Sequence, residues 1–160
     1  MLTYLFTYHA YLSWLPDRHE GYTERGKGIQ PRDMKKAAEY REKATHGLVR
    51  FDDRLQRIAI DELLIAVEKQ TLHLHAVATD DAHLHVLVSW HTEKTWKQAR
   101  NGLKYSLTRR FNNEFGTRPW FVENASRRRV YKQKHFDYLV EEYLPSHRGW
   151  KWNEERGLYL

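Results

Sequence analysis

The run Asp80-Asp81-Ala82-His83-Leu84-His85-Val86-Leu87-Val88-Ser89 sets two histidines one residue apart at the mouth of an apolar stretch. Side chains alternate faces along a strand, so His83 and His85 share one face while Leu84, Val86 and Val88 take the other. Two imidazoles side by side on one pleat make half a site for a divalent metal. A third ligand and a reactive group must then come from elsewhere in the chain. A second pair, His73-Leu74-His75, precedes the first. A hairpin symmetric about Asp80-Asp81 sets Ala78 opposite His83 and Ala76 opposite His85, with His73 and His75 opposite Val88 and Val86 on the other face. In that register the two pairs do not form one cluster. His83 and His85 read as functional, and His73 and His75 as structural or supporting.

Familiar two-histidine chemistries fit poorly. A histidine-triad nucleotide hydrolase wants a third histidine where Leu87 stands. A two-histidine phosphoesterase wants Ser or Thr two residues after each histidine, where His75 and His85 stand. A cupin wants an all-β, Gly-rich chain, which a helical stretch at 95–115 contradicts. What remains is a tyrosine nucleophile working beside the histidines.

At 160 residues the chain fits a single domain, 1–160, with a core of its own. It has no cysteine, which excludes disulfides, thiolate metal sites and cysteine nucleophiles. A net charge of +6 favours an anionic partner, nucleic acid first among them, and six Trp and ten Tyr offer faces on which unpaired bases stack. No apolar run is long enough to span a bilayer. Met1 to Trp14 lacks a basic leader and alternates like a strand, so no signal segment is expected, and a cytoplasmic location is.

The elements that must carry the histidines follow from periodicity. Leu2, Tyr4, Phe6, Tyr8 and Ala10 alternate with polar residues, predicting a strand to about Trp14. A long loop, Pro16 to Pro31, leads to a helix over Asp33–Thr45, capped by Asp33 and stopped by Gly47. Asp52 or Asp53 caps a second helix to about Lys69. Thr71–Ala78 and Ala82–Trp90 form a hairpin across Asp80-Asp81. Trp96, Ala99, Leu103, Leu107, Phe111 and Phe115 make the stripe of a third helix, Thr95–Phe115. Trp120–Val122 and Arg127–Tyr131 are expected to pair as a hairpin around Asn124. Lys134–Leu144 is a fourth helix and 150–160 an aromatic, charged tail. The expected fold is α+β, a mostly antiparallel sheet with helices packed on one face.

His83-Leu84-His85 followed by Val86-Leu87-Val88 after an acidic turn resembles the HUH motif of the single-tyrosine HUH transposases, among them the REP-associated tyrosine transposases. The opening Tyr8-His9-Ala10-Tyr11-Leu12-Ser13-Trp14-Leu15-Pro16 is similar to the first strand of such proteins, and the element order extends the likeness over most of the chain. The resemblance implies an RRM-like, ferredoxin-like HUH fold and a C-terminal helix carrying the nucleophile, with a polar metal ligand four residues later. Here those positions are Tyr143 and His147. It further implies Mg²⁺ or Mn²⁺ held by His83, His85 and His147, attack by Tyr143 on single-stranded or hairpin DNA, a 5′-phosphotyrosine link, and a homodimer in which the tyrosine helix serves the partner's histidines.

Pro145 departs from the family pattern. It predicts that the helix stops near Leu144, so Tyr143 and His147 need not be helical neighbours. Glu142 is then an alternative ligand and Tyr138 an alternative nucleophile, with Tyr131 and Tyr105 more distant. Arg127, Arg128 and Arg129 are candidate phosphate contacts, with Arg127 and Arg129 on one face, and Lys104, Arg109 and Arg110 of the third helix are further ones. Two other functions fit the same residues: a domesticated, catalytically inactive protein that binds hairpin or single-stranded DNA, and a nuclease in which water attacks.

Overall fold

The computed structural model describes residues 1–13, 21–24, 26–44 and 46–160. Trp14 and residues 16–20 of the expected loop lie outside the described residues. In chain order the elements are β1 (Leu2–His9), β2 (Tyr22–Glu24), β3 (Gly28–Gln30), α1 (Met34–Lys43), α2 (Asp53–Lys69), β4 (His73–Thr79), β5 (His83–Trp90), α3 (Trp96–Phe115), β6 (Ser126–Arg129), α4 (Gln133–Tyr138), β7 (Lys151–Asn153) and β8 (Gly157–Tyr159). A π-helical turn, Leu139–Tyr143, continues α4.

Six strands form one antiparallel sheet in the order β6-β1-β5-β4-β7-β8, and β2 and β3 form a second, two-stranded sheet. Local chemistry starts the helices where the sequence predicts. Asp33 accepts from the Lys36 amide and Asp52 from the Leu55 amide, at 2.8 and 2.9 Å. Thr95 and Gln98 make a reciprocal capping box at the start of α3. The α3 stripe Ala99, Leu103, Leu107 and Phe111 is fully buried, together with Ala59, Leu63 and Ala66 of α2, against Tyr4, Phe6, Tyr8, Val86 and Val88 of the sheet.

The α+β architecture is as expected, with α2 and α3 on one face of the sheet. The short last helix goes to the other face. There Leu139 and Leu144 pack with Leu5, Ala76, Ala78 and Leu87 in a separate core. Burial of two such leucines contributes roughly 4 kcal/mol, enough to hold a short helix that has no side-chain cap. With both faces covered, β5 is buried along nearly its whole length rather than alternating.

Three sequence expectations about pairing are corrected. Trp120–Val122 and Arg127–Tyr131 do not pair with each other. Both run along β1, β6 from Tyr4↔Arg129 to Thr7↔Ser126 and Phe121 bridging Ala10, because β1 would otherwise leave an open row of amides. The turn between them is held by Arg100 to the Ala125 carbonyl and by Lys104 to the Val122 and Glu123 carbonyls. The segment 150–160 is no loose tail: β7 pairs with β4 and β8 with β7, extending the sheet by two strands.

The third correction concerns the histidines. The β4–β5 register sets Ala78 opposite His85 and Thr79 opposite Leu84, two residues from the symmetric arrangement, which preserves faces. A bulge between Leu74 and Ala76 then does not. It sets His73 opposite Ser89, so His73 and His75 turn to the same face as His83 and His85. Periodicity could not show this, because one inserted residue inverts every side chain beyond it.

Candidate active site

β5 lies in the middle of the sheet between β1 and β4, and carries His83 and His85 on the face covered by α4. Their rings lie 5.8 Å apart, centroid to centroid, and nearly parallel. Cross-strand neighbours fix them. Thr7, opposite His85 on β1, hydrogen-bonds its Nδ1 at 2.8 Å, which leaves Nε2 as the free ligand atom. His83 Nδ1 donates to both oxygens of Asp80, at 2.9 and 3.0 Å. Asp80 also accepts from the backbone amides of Ala82 and His83 and so closes the turn. His9, opposite His83 on β1, stands edge-on to it at 5.2 Å and reaches Ser126 through Nε2.

The third component arrives from the π turn. The Leu144 amide donates to the Leu139 carbonyl, five residues back, which widens the turn just ahead of Pro145. Beyond the proline, the Ser146 amide reaches the Glu142 and Tyr143 carbonyls and the His147 amide reaches Leu144. Pro145 therefore does not part Tyr143 from His147: their rings meet edge-on at 5.0 Å. His147 donates through Nδ1 to the Tyr143 and Leu144 carbonyls, at 3.0 and 3.2 Å, which leaves its Nε2 free. Buried Lys151 donates to the His147 carbonyl from β7.

The result is one cluster. His147 lies 4.4 Å and Tyr143 5.7 Å from His85, ring to ring. Ligand atoms of Asp80, His85 and His147 all lie within 4.8 Å of one another. Asp80 thus stands in the closest set where the sequence suggested His83, and His83 stands alongside it. Asp80, Thr7 and His9 escaped the sequence reading. Thr7 and His9 alternate along one strand like the histidines of β5, but only the pairing of β1 with β5 reveals the shared face.

The electrostatics suit a metal. Burial, then the neighbouring imidazoles His147 and His83, push His85 down to about 3, so the ring is neutral, the form that coordinates. Burial pushes Asp80 upward, yet its hydrogen bonds from His83 and Ala82 outweigh this and hold it at about 2, ionised. Two imidazoles with free Nε2 atoms and one carboxylate are a donor set that fits a divalent ion.

Tyr143 lines a cavity of about 320 Å³ with Thr7, Ser126, Arg127, Arg128 and Tyr138. Burial raises the Tyr143 phenol above its ordinary value, and Arg128 pulls it back down. Pairing of β6 with β1 sets Arg128 on the face of Leu5, toward Tyr143, whereas Arg127 and Arg129 share the opposite face. Those two lie over aromatic rings, Arg127 over Trp96 at 3.8 Å and Arg129 over Tyr131 at 4.5 Å.

Other sequence candidates lie elsewhere. Lys104 is committed to the two carbonyls above, and Arg110 to Asp61, Glu62 and Glu114. Arg109, Tyr105 and Glu142 are exposed, Tyr131 sits under Arg129, and Tyr138 lies 6.3 Å from the Tyr143 ring. Among the described residues no helix is long and apolar enough to cross a membrane.

No family model and no curated protein matches the chain. Solved structures do. A REP-associated tyrosine transposase bound to a REP hairpin superposes with a TM-score of 0.52 at 9% identity, over 86% of this chain and 61% of the other. The chain thus spans about three fifths of that protein's length. A crystal structure from Deinococcus radiodurans R1, described as that of a putative transposase, superposes with a TM-score of 0.52 at 12% identity, over 93% of this chain and 92% of the other. The six-stranded antiparallel sheet with its four helices matches the fold of these structures.

Proposed function

We propose that this chain is a metal-dependent single-stranded DNA transposase of the single-tyrosine HUH type, which nicks and rejoins DNA through Tyr143. The observation that carries the reading is the meeting of the Tyr143 ring with His85 and His147 beside an arginine-lined cavity, all within one chain. The shared fold with a transposase seen on a DNA hairpin supports DNA, in hairpin or single-stranded form, as the substrate.

A divalent ion, Mg²⁺ or Mn²⁺, held by His85, His147 and Asp80 with His83 beside them, would supply Lewis-acid withdrawal of charge from a phosphoryl oxygen. The protein's part is positioning. Thr7 and the carbonyls of Tyr143 and Leu144 hold the ligating rings in one tautomer. Arg128 meets the phosphate's charge and favours the phenolate. Tyr143 Oη attacks phosphorus, its proton passing to water. The bond from phosphorus to the 3′ oxygen breaks, and that oxygen takes up a proton. The products are a 5′-phosphotyrosine and a free 3′-hydroxyl, so the phosphoester bond is conserved for rejoining without a nucleotide cofactor.

The homodimer that the resemblance implies would serve DNA binding on this reading, since one chain supplies both phenol and imidazoles.

The test is an oligonucleotide with sulfur in place of the 3′-bridging oxygen. The departing 3′-thiol reverses the reaction poorly, so in Mn²⁺ the chain accumulates as a covalent adduct, and Tyr143→Phe forms none. DNA binding with no adduct would assign the chain instead to an inactive binding protein. Cleavage that survives Tyr143→Phe would assign it to a water-using nuclease.

A further inference from the structure

We propose that His73, His75 and Glu154 form a second metal site, for a borderline divalent ion of the zinc class, which clips the β7–β8 hairpin to β4. The bulge in β4 turns both histidines to one side, where their rings lie 4.5 Å apart. Glu154 projects from the β7–β8 turn, directly after the last β4–β7 pair, Ala76↔Asn153. Its two oxygens face one ring each, at 2.6 Å from His73 Nε2 and 3.3 Å from His75 Nδ1. Each of the three residues offers a ligand atom within 4.8 Å of the others.

Several features distinguish this from a surface ion pair. His75 is largely buried and held at both ends: Ser89 Oγ lies 2.7 Å from its Nε2, and Phe136 meets it edge-on at 4.9 Å. A hydrogen-bonding partner on the far nitrogen, here the Ser89 hydroxyl, orients a ligating imidazole and leaves Nδ1 to face the carboxylate. Two imidazoles and one carboxylate suit an ion of the zinc class, and three ligands leave a fourth position open. A groove of about 440 Å³, lined by His73, His75, Ser89, Trp90 and His91, gives water access to it.

This site is distinct from the Tyr143 cluster. Ser89 is four residues beyond His85 on β5, about 13 Å along the strand. The two are nonetheless linked, because Phe136 belongs to α4, the helix whose continuation carries Tyr143. An ion at His75 would therefore hold both the last hairpin and the first turn of that helix.

Metal-stripped 160-residue chain carrying His147→Ala, to silence the other cluster, is titrated with Co²⁺ and followed by its visible d–d absorption. One site of tetrahedral type is expected, displaced by Zn²⁺, with Zn²⁺ raising the melting temperature. Adding His73→Ala or Glu154→Gln should weaken binding by roughly 100-fold or more. Both positions are exposed, so circular dichroism should report an intact fold. The proposal is overturned if the absorption is absent in His147→Ala, or if it persists unchanged in both added variants. Adduct formation by Tyr143 is a separate readout, so either idea can fail alone.

Discussion

The imidazoles of His85 and His147 lie 4.4 Å apart, one on the central strand and the other beyond a proline in the turn after the last helix. Tyr143 stands edge-on to both, at 5.7 and 5.0 Å. The phenol and its histidines belong to the same chain, and that decides how variants should combine.

If catalysis runs in cis, Tyr143→Phe and His85→Ala cannot rescue one another. An equimolar mixture of the two inactive variants should give no covalent adduct with the sulfur-bridged oligonucleotide. Recovery of a substantial fraction of wild-type adduct on mixing would mean that the tyrosine serves a partner's histidines.

Arg128 shares a face with Tyr143 and lowers its phenol, whereas Arg129 lies on the other face against Tyr131. Arg128→Ala should move the alkaline rise of the cleavage-rate profile to higher pH and slow cleavage at neutral pH by about tenfold. Loss of one phosphate contact should also reduce the salt slope of single-stranded DNA binding by about 0.7. Arg129→Ala should leave the pH profile in place. An unshifted profile in Arg128→Ala would remove this arginine from the nucleophile's surroundings.

The metal-free chain should lose stability in acid. Burial lowers His85 to about 3 in the fold, against an ordinary 6.5, so protonation favours the unfolded chain. Its contribution is whole above pH 6.5 and declines as pH falls toward 3, by up to about 1.4 kcal/mol per pH unit. His75, also lowered, adds to the loss in the same direction, and Asp80, held at about 2, adds below pH 3.8. Urea unfolding in chelator across this range measures the slope, and His85→Leu should flatten it. Constant stability from pH 6.5 to 4 would show that His85 takes up its proton without penalty.

Gly149 packs where a Cβ would collide with the Thr79 carbonyl and the Gln56 amide oxygen. Its amide donates to that carbonyl at 2.9 Å, and Gln56 in turn accepts from the Trp150 amide. Gly149→Ala should cost about 2 kcal/mol and lower the melting temperature by several degrees. Lying two residues after His147, it should also weaken metal binding at the Tyr143 cluster while sparing the His73, His75 and Glu154 group. An unchanged melting temperature would mean that the chain shifts there freely.

Short-range chemistry was legible in the residues themselves. The cap Asp33, the choice of Asp52 or Asp53 for the next cap, the α3 stripe and the shared face of His83 and His85 each depend on neighbours within four positions, and local pattern carries that information. The family resemblance, rather than residue type or spacing, pointed to Tyr143 and His147, which the fold brings beside His85. Long-range pairing was not legible. A single bulge at His75 reversed the face of the second histidine pair, and β1, needing a partner, took up both segments expected to pair with each other. Pro145 signalled a break by local rules, and a π turn absorbed it because Leu139 and Leu144 were both buried against the sheet. Sequence alone determined which side chains were available and which way each short element had to face its own core. Tertiary structure decided which of them meet, because register and helix placement are set by burial summed over distant elements, a quantity that no local window contains.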